Sequence, residues 1–103
     1  MKPVINSSIV LVACLVSFGA AASEQLAQKY ACVACHHVSQ KMLGPSWSSI
    51  RDKYKDGSVT AAQLAASIKR GSSGKWGAVP MPPQGNVPEA DAQAIAAWIL
   101  QKK

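Results

Sequence analysis

After a polar tip the chain carries an apolar run at residues 9–18, and no charge stands between Lys2 and Glu24. Beyond that, apolar positions recur at helical spacings. Leu26 and Tyr30 stand four apart behind Ser23 and Glu24, which can start a first helix. Trp47, Ile50 and Tyr54, three and four apart, predict a second helix over 46–54. Leu64, Ala65 and Ile68 predict a third, capped by Ser58 or Thr60 and closed by Gly71. Ala92, Ile95 and Ile99, with Trp98 at the edge, mark a last helix over about 88–101. Pro88 suits its first turn, Glu89 and Asp91 suit its start, and Lys102 and Lys103 suit its end. No stretch alternates with period two, so the expected class is all-α, about four short helices and no sheet.

The segments between are punctuated rather than periodic. Gly44-Pro45 stops any regular element and Asp56-Gly57 reads as a turn. From 71 to 87 the glycines Gly71, Gly74, Gly77 and Gly85 and the prolines Pro80, Pro82 and Pro83 forbid both a helix and a central strand. This stretch is a shaped loop.

The apolar run at the N-terminus has the layout of a secretory signal. Lys2 precedes it, and Gly19-Ala20-Ala21-Ala22 supplies small residues before a cleavage point after Ala22. From 9 to 22 it is shorter than the about 20 residues a membrane-spanning helix needs, so no stable membrane insertion is expected. Leu11-Val12-Ala13-Cys14 resembles a lipoprotein processing box, but Asn6, Ser7 and Ser8 leave little apolar core ahead of it. The expected division is a signal peptide at 1–22 and one domain at 23–103, exported to the periplasm.

A domain of that size sits near the limit at which an apolar core alone suffices. Its predicted helix faces are rich in alanine, so a large apolar cofactor would fill a centre they leave empty. The full chain carries a formal net charge of +6 with histidine neutral. The expected domain keeps ten of its basic residues against five acidic ones. That balance suits an acidic partner, and outside the cytoplasm no nucleic acid is expected.

Candidate chemistry is concentrated at Cys32-Val33-Ala34-Cys35-His36. Two thiols with two residues between them, followed at once by histidine, form the haem-attachment pattern. Cys32 and Cys35 would form thioether bonds to one covalently held haem c, and His36 would fall beneath the ring as the proximal iron ligand. A redox dithiol would need an α/β unit around the motif, for which there is neither room nor strand pattern. A zinc site would need four tetrahedral ligands, and Cys32, Cys35, His36 and His37 lie too close together in the chain to supply them without strain. His37 reads as a surface residue.

The second axial ligand must come from Met42 or Met81, since Met1 leaves with the signal. Met42 follows His36 by only six residues, too short a tether to reach the opposite haem face. Met81 lies much further on, between Pro80 and Pro82-Pro83, whose fixed φ angles stiffen the backbone. Ligation by His36 and Met81 would fill both iron faces. Such a centre transfers electrons and is not an enzyme; a thioether ligand also raises its potential above that of a bis-histidine haem.

These residues resemble the short bacterial class I cytochromes c, the type that donates electrons to periplasmic nitrite reductase or a terminal oxidase. The resemblance runs from Leu26 to Lys103 and rests on the attachment motif, Lys41-Met42-Leu43-Gly44-Pro45, Ile68-Lys69, Gly71-Ser72-Ser73-Gly74, Trp76-Gly77, Val79-Pro80-Met81-Pro82-Pro83 and Ala96-Ala97-Trp98-Ile99-Leu100. It implies an all-helical fold round one haem, with the carbonyl of Pro45 accepting a hydrogen bond from His36 and the indole of Trp76 reaching a haem propionate. Three positions depart from the pattern: Gln84 replaces an asparagine that bonds the methionine sulfur, with Asn86 near enough to substitute; Ser67 replaces an arginine; and Lys75 replaces an apolar residue. Trp47 reads as packing.

The function expected is that of a soluble, monomeric electron carrier cycling Fe(II)/Fe(III) in a respiratory chain. Its donor would be a quinol-oxidising cytochrome complex and its acceptor nitrite reductase or a terminal oxidase. Lys41, Lys69, Arg70 and Lys75 are candidates for steering an acidic partner. The alternatives are a haem enzyme or a gas or peroxide sensor that opens the Met81 side, and a domain working only in a fixed complex.

Overall fold

The computed structural model describes residues 3–4 and 20–101. Most of the expected signal segment, Cys14 included, and the last two lysines lie outside the described residues. Four helices follow in order: α1 (Ala20–Lys29), α2 (Trp47–Tyr54), α3 (Ala61–Arg70) and α4 (Glu89–Gln101). Among the described residues the only strand-like pairing is a single antiparallel bridge between Ser72 and Met81. The fold is all-α. No described helix is long and apolar enough to cross a membrane.

Local chemistry explains the boundaries. α1 runs back to Ala20, ahead of the start read at Ser23, because alanine is the strongest helix former and Ala20, Ala21 and Ala22 offer no stop. Ser46 caps α2, its Oγ accepting from Ser49 N–H at 3.0 Å. Thr60, not Ser58, opens α3 through a reciprocal box with Gln63, at 3.1 Å one way and 2.9 Å the other. Ser58 instead donates its backbone N–H to Asp56 in the turn. Gly71 ends α3 with φ 77° and ψ 177°, a conformation that glycine alone adopts at low cost. Pro88 lies just outside α4, its carbonyl receiving Ala92 N–H at 2.9 Å.

α4 is the hub. It packs against α1, α2 and most extensively α3. Its core therefore wraps further round than the predicted stripe: Ala96 and Trp98 are buried along with Ala92, Ile95 and Ile99. Ala27, Trp47, Ile50, Ala65, Ile68 and Val87 complete this core. Alanines at Ala27, Ala65, Ala92 and Ala96 let the helices approach closely. Two polar ties reinforce the seams. Tyr30 donates to Asp91 at 2.6 Å, joining the end of α1 to the start of α4. Arg51 Nε donates to Ile99 O at 3.0 Å, satisfying a carbonyl in the last turn of α4, where carbonyls lack helical partners.

Candidate haem-binding site

The packing leaves a mostly apolar cavity of about 330 Å³ between α2, α3 and the loops that flank them. One wall is made by the attachment motif. Ala31 turns left-handed at φ 59° and leads into a 3₁₀ turn, Cys32–Ala34. Cys35 and His36 both donate their N–H groups to Cys32 O, at 3.1 and 3.0 Å. This tight winding gathers Cys32, Cys35 and His36 on the cavity wall. Burial pushes the Cys32 thiol above its ordinary pKa, with a smaller contribution from Cys35. A reactive redox dithiol needs the opposite shift, so the environment disfavours that rival.

His36 is buried and held from several directions. Its Nδ1 lies 2.6 Å from Pro45 O. A carbonyl only accepts, so Nδ1 carries the proton and, in the neutral ring, Nε2 carries the lone pair. Gly44 passes so close that a Cβ there would stand 2.6 Å from His36 Cε1. Backbone bonds from Gly44 N to Cys35 O, at 2.9 Å, and from Trp47 N to His37 O, also at 2.9 Å, lock this loop to the motif. The neighbouring His37 is in the other tautomeric setting. Its exposed ring accepts at Nδ1 from the N–H groups of Ser39 and Gln40, at 3.1 and 3.2 Å, and it is absent from the cavity wall.

Met81 stands on the cavity wall, whereas Met42 is exposed and outside it. The Met81 backbone is fixed by its pair of bonds with Ser72, 2.8 and 3.1 Å. Gln84 N–H anchors the strap further on by donating to Ile68 O at 3.1 Å. Gln84 also lines the cavity, its side-chain amide donating to Pro82 O at 3.0 Å. Asn86 is exposed and off the wall, so it does not substitute there. Trp76 is half-buried at the wall beside Lys75 and Ser67, edge-on to Tyr54 at 6.4 Å.

Two partners were not legible in the sequence. The Lys53 ammonium lies 4.5 Å over the Trp76 ring and donates to Lys75 O at 3.3 Å. Trp47, read only as packing, stacks on His36 with ring centroids 4.6 Å apart. Only the placement of Trp47 two residues after Pro45 hinted at that contact.

The donor set suits a covalently attached haem. Two thiols and an imidazole with a free Nε2 share one wall, a thioether stands on the cavity wall as well, and the remaining lining is largely aliphatic and aromatic. A metal alone would find no ready cage, since no cluster of three or more His, Cys, Asp or Glu exists among the described residues.

Residues 19–99 match the family model described as cytochrome c oxidase, cbb3-type, subunit III. The chain is 50% identical over 91 residues to cytochrome c-552 of Nitrosomonas europaea, covering 88% of each. It is 46% identical over 82 residues to cytochrome c-552 of Hydrogenobacter thermophilus, covering 80% of this chain and 83% of the other. The crystal structure of the Nitrosomonas europaea protein superposes with a TM-score of 0.74 at 51% identity, covering 78% of this chain and 99% of that one.

Proposed function

The chain belongs to the short bacterial class I monohaem cytochromes c of the c-551/c-552 group, periplasmic electron carriers with a covalently attached haem, and we propose how its own residues serve that task. In this reading His36 and Met81 would hold the iron, one through its imidazole nitrogen and the other through its thioether sulfur. When bound through Cys32 and Cys35, haem c supplies one-electron chemistry at iron, cycling Fe(II)/Fe(III).

The observation that carries the proposal is the fixed tautomer of His36. With Nδ1–H given to Pro45 O, Nε2 is the nitrogen offered to a metal, and the hydrogen bond raises its basicity. Met81 offers a weak sulfur donor, and its backbone is ordered by Ser72 and the adjoining prolines, so little entropy remains to be lost on binding. Gln84 is the amide on the Met81 side of the cavity. Trp76 is read as the propionate donor, with Lys53 and Lys75 adding positive charge beside it. Together these groups order both sides of a cavity whose lining is mostly apolar. A centre that changes shape little between its two charge states exchanges electrons with a small reorganisation cost.

Residues 1–22 are proposed to be the signal peptide, with 23–103 as the functional domain. A quinol-oxidising cytochrome complex is proposed as donor, and nitrite reductase or a terminal oxidase as acceptor. A second reading, that the domain works inside an oxidase complex, is supported by the description of the matching family model. Gel filtration of the native periplasmic fraction separates the two: a carrier elutes at the size of one small chain, and a subunit with its complex.

The ligand assignment is tested in the oxidised holoprotein by the weak far-red band of sulfur-to-iron charge transfer. Met81→Ala abolishes the band while the main haem absorption persists; Met42→Ala leaves it in place. A band that survives Met81→Ala refutes the assignment.

A further inference from the structure

The imidazole of His36 faces a flat surface. The Trp47 indole lies at 4.6 Å between centroids, with the two planes only 20° apart. Trp47 has little freedom of its own. It is 4% exposed, its backbone N–H is bonded to His37 O at 2.9 Å, and Trp98 meets it edge-on at 5.6 Å and 70°. The bond from Nδ1 to Pro45 O fixes where one nitrogen points, but it leaves the ring able to rock about the line of that bond. A parallel aromatic face removes the rocking, since tilting either ring out of the stack loses contact area and favourable ring electrostatics. Gly44 crowds the Cε1 side, where even a methyl group would collide. Direction, plane and edge of the imidazole are thus set by three different residues.

We infer that Trp47 is a positioning residue that sets the plane of the His36 imidazole, an inference resting on His36 as an axial ligand. An imidazole donates π-electron density from a single plane. In a ferric haem the angle of that plane, together with the orientation of the Met81 sulfur, would shape which pyrrole positions carry the unpaired spin. Trp47 therefore acts through His36 on the spin distribution over the ring, without itself touching the iron.

The test compares ferric holoproteins by proton NMR, reading the order and spread of the hyperfine-shifted haem methyl resonances. Trp47→Phe keeps a flat ring and retains the wild-type order. Trp47→Leu removes it and reorders the methyls; Trp47→Met is the larger non-aromatic alternative should the leucine variant not take up haem. Ile95→Ala, which opens the core at a buried residue away from the cavity, loses stability but keeps the order. A folded Trp47→Leu or Trp47→Met holoprotein with the wild-type order overturns the inference. Failure of the underlying reading looks different: the wild type itself would then lack the strongly shifted, fast-relaxing His36 ring protons of an iron-bound imidazole.

Discussion

Gly71 is where the fold of this protein meets its Met81 strap, and replacing it with alanine probes that junction. The added Cβ would overlap Met81 O and come within 2.8 Å of Pro83 N and 3.0 Å of Pro82 C. All three are backbone atoms, so no side chain can swing aside. Gly74, in the same loop, has φ 79° against 77° for Gly71, but a Cβ on it meets nothing within 4 Å. Both substitutions carry the strain of a positive φ, about 1–3 kcal/mol. Only Gly71→Ala must also push the strap away, which breaks the two Ser72–Met81 hydrogen bonds at about 1 kcal/mol each. We expect Gly71→Ala to cost about 2 kcal/mol more than Gly74→Ala in urea unfolding of the holoprotein. Its far-red sulfur-to-iron band should also be lost at a lower temperature. Equal destabilisation by the two substitutions, with equal persistence of that band, would refute the account of the strap as set by backbone contact.

Ala31 is the only non-glycine residue with positive φ among those described. Ala31→Gly relieves about 1–2 kcal/mol of left-handed strain and returns about 0.4–1 kcal/mol through the freer unfolded chain. The urea midpoint should therefore rise at unchanged slope. Tyr30→Phe removes the bond to Asp91, which is the largest cause of the upward shift of the Tyr30 phenol. A raised pKa stabilises the fold fully below the ordinary value of 10.0 and ceases to do so as pH climbs through the folded value. The deficit of Tyr30→Phe against wild type should be flat from neutral pH to pH 10 and shrink above it, as pH-dependent denaturation would record. Lys53→Met removes a cation–π contact worth about 0.5–1 kcal/mol at an exposed site. The indole N–H of Trp76 should then exchange faster with solvent in NMR of the reduced protein, and Lys53→Arg should restore the slower rate.

Elements with local signals were readable from the sequence. Ser46, Thr60, Gly71 and Pro88 mark helix ends because each does its work on backbone groups within a few residues. The attachment motif and the proline-clasped Met81 were readable for the same reason. What stayed hidden depended on distant chain segments. Nothing about alanine announces a left-handed residue at position 31, since the turn is imposed by the winding of Cys32 to His36. The burial of Trp98 follows from α4 touching three helices at once, which no single-helix periodicity encodes. Lys53 carries no sequence signal of its contacts, since only the return of the chain 22 residues later puts the carbonyl of Lys75 and the ring of Trp76 beside it. Gln84 rather than Asn86 faces the cavity because the chain turns directly after Gln84, where Val87 N–H bonds Gln84 O at 3.1 Å, and backbone direction at such a turn cannot be read from composition.

The tie between Tyr30 and Asp91 joins residues 61 positions apart. Closing so long a loop costs entropy that is repaid only once α4 exists to receive α1. Without α4, α1 keeps only its packing against the Cys32–Ala34 turn. A seam between the first and last helices thus makes the hold on α1 conditional on α4, so that truncating the C-terminal helix should release the N-terminal one as well.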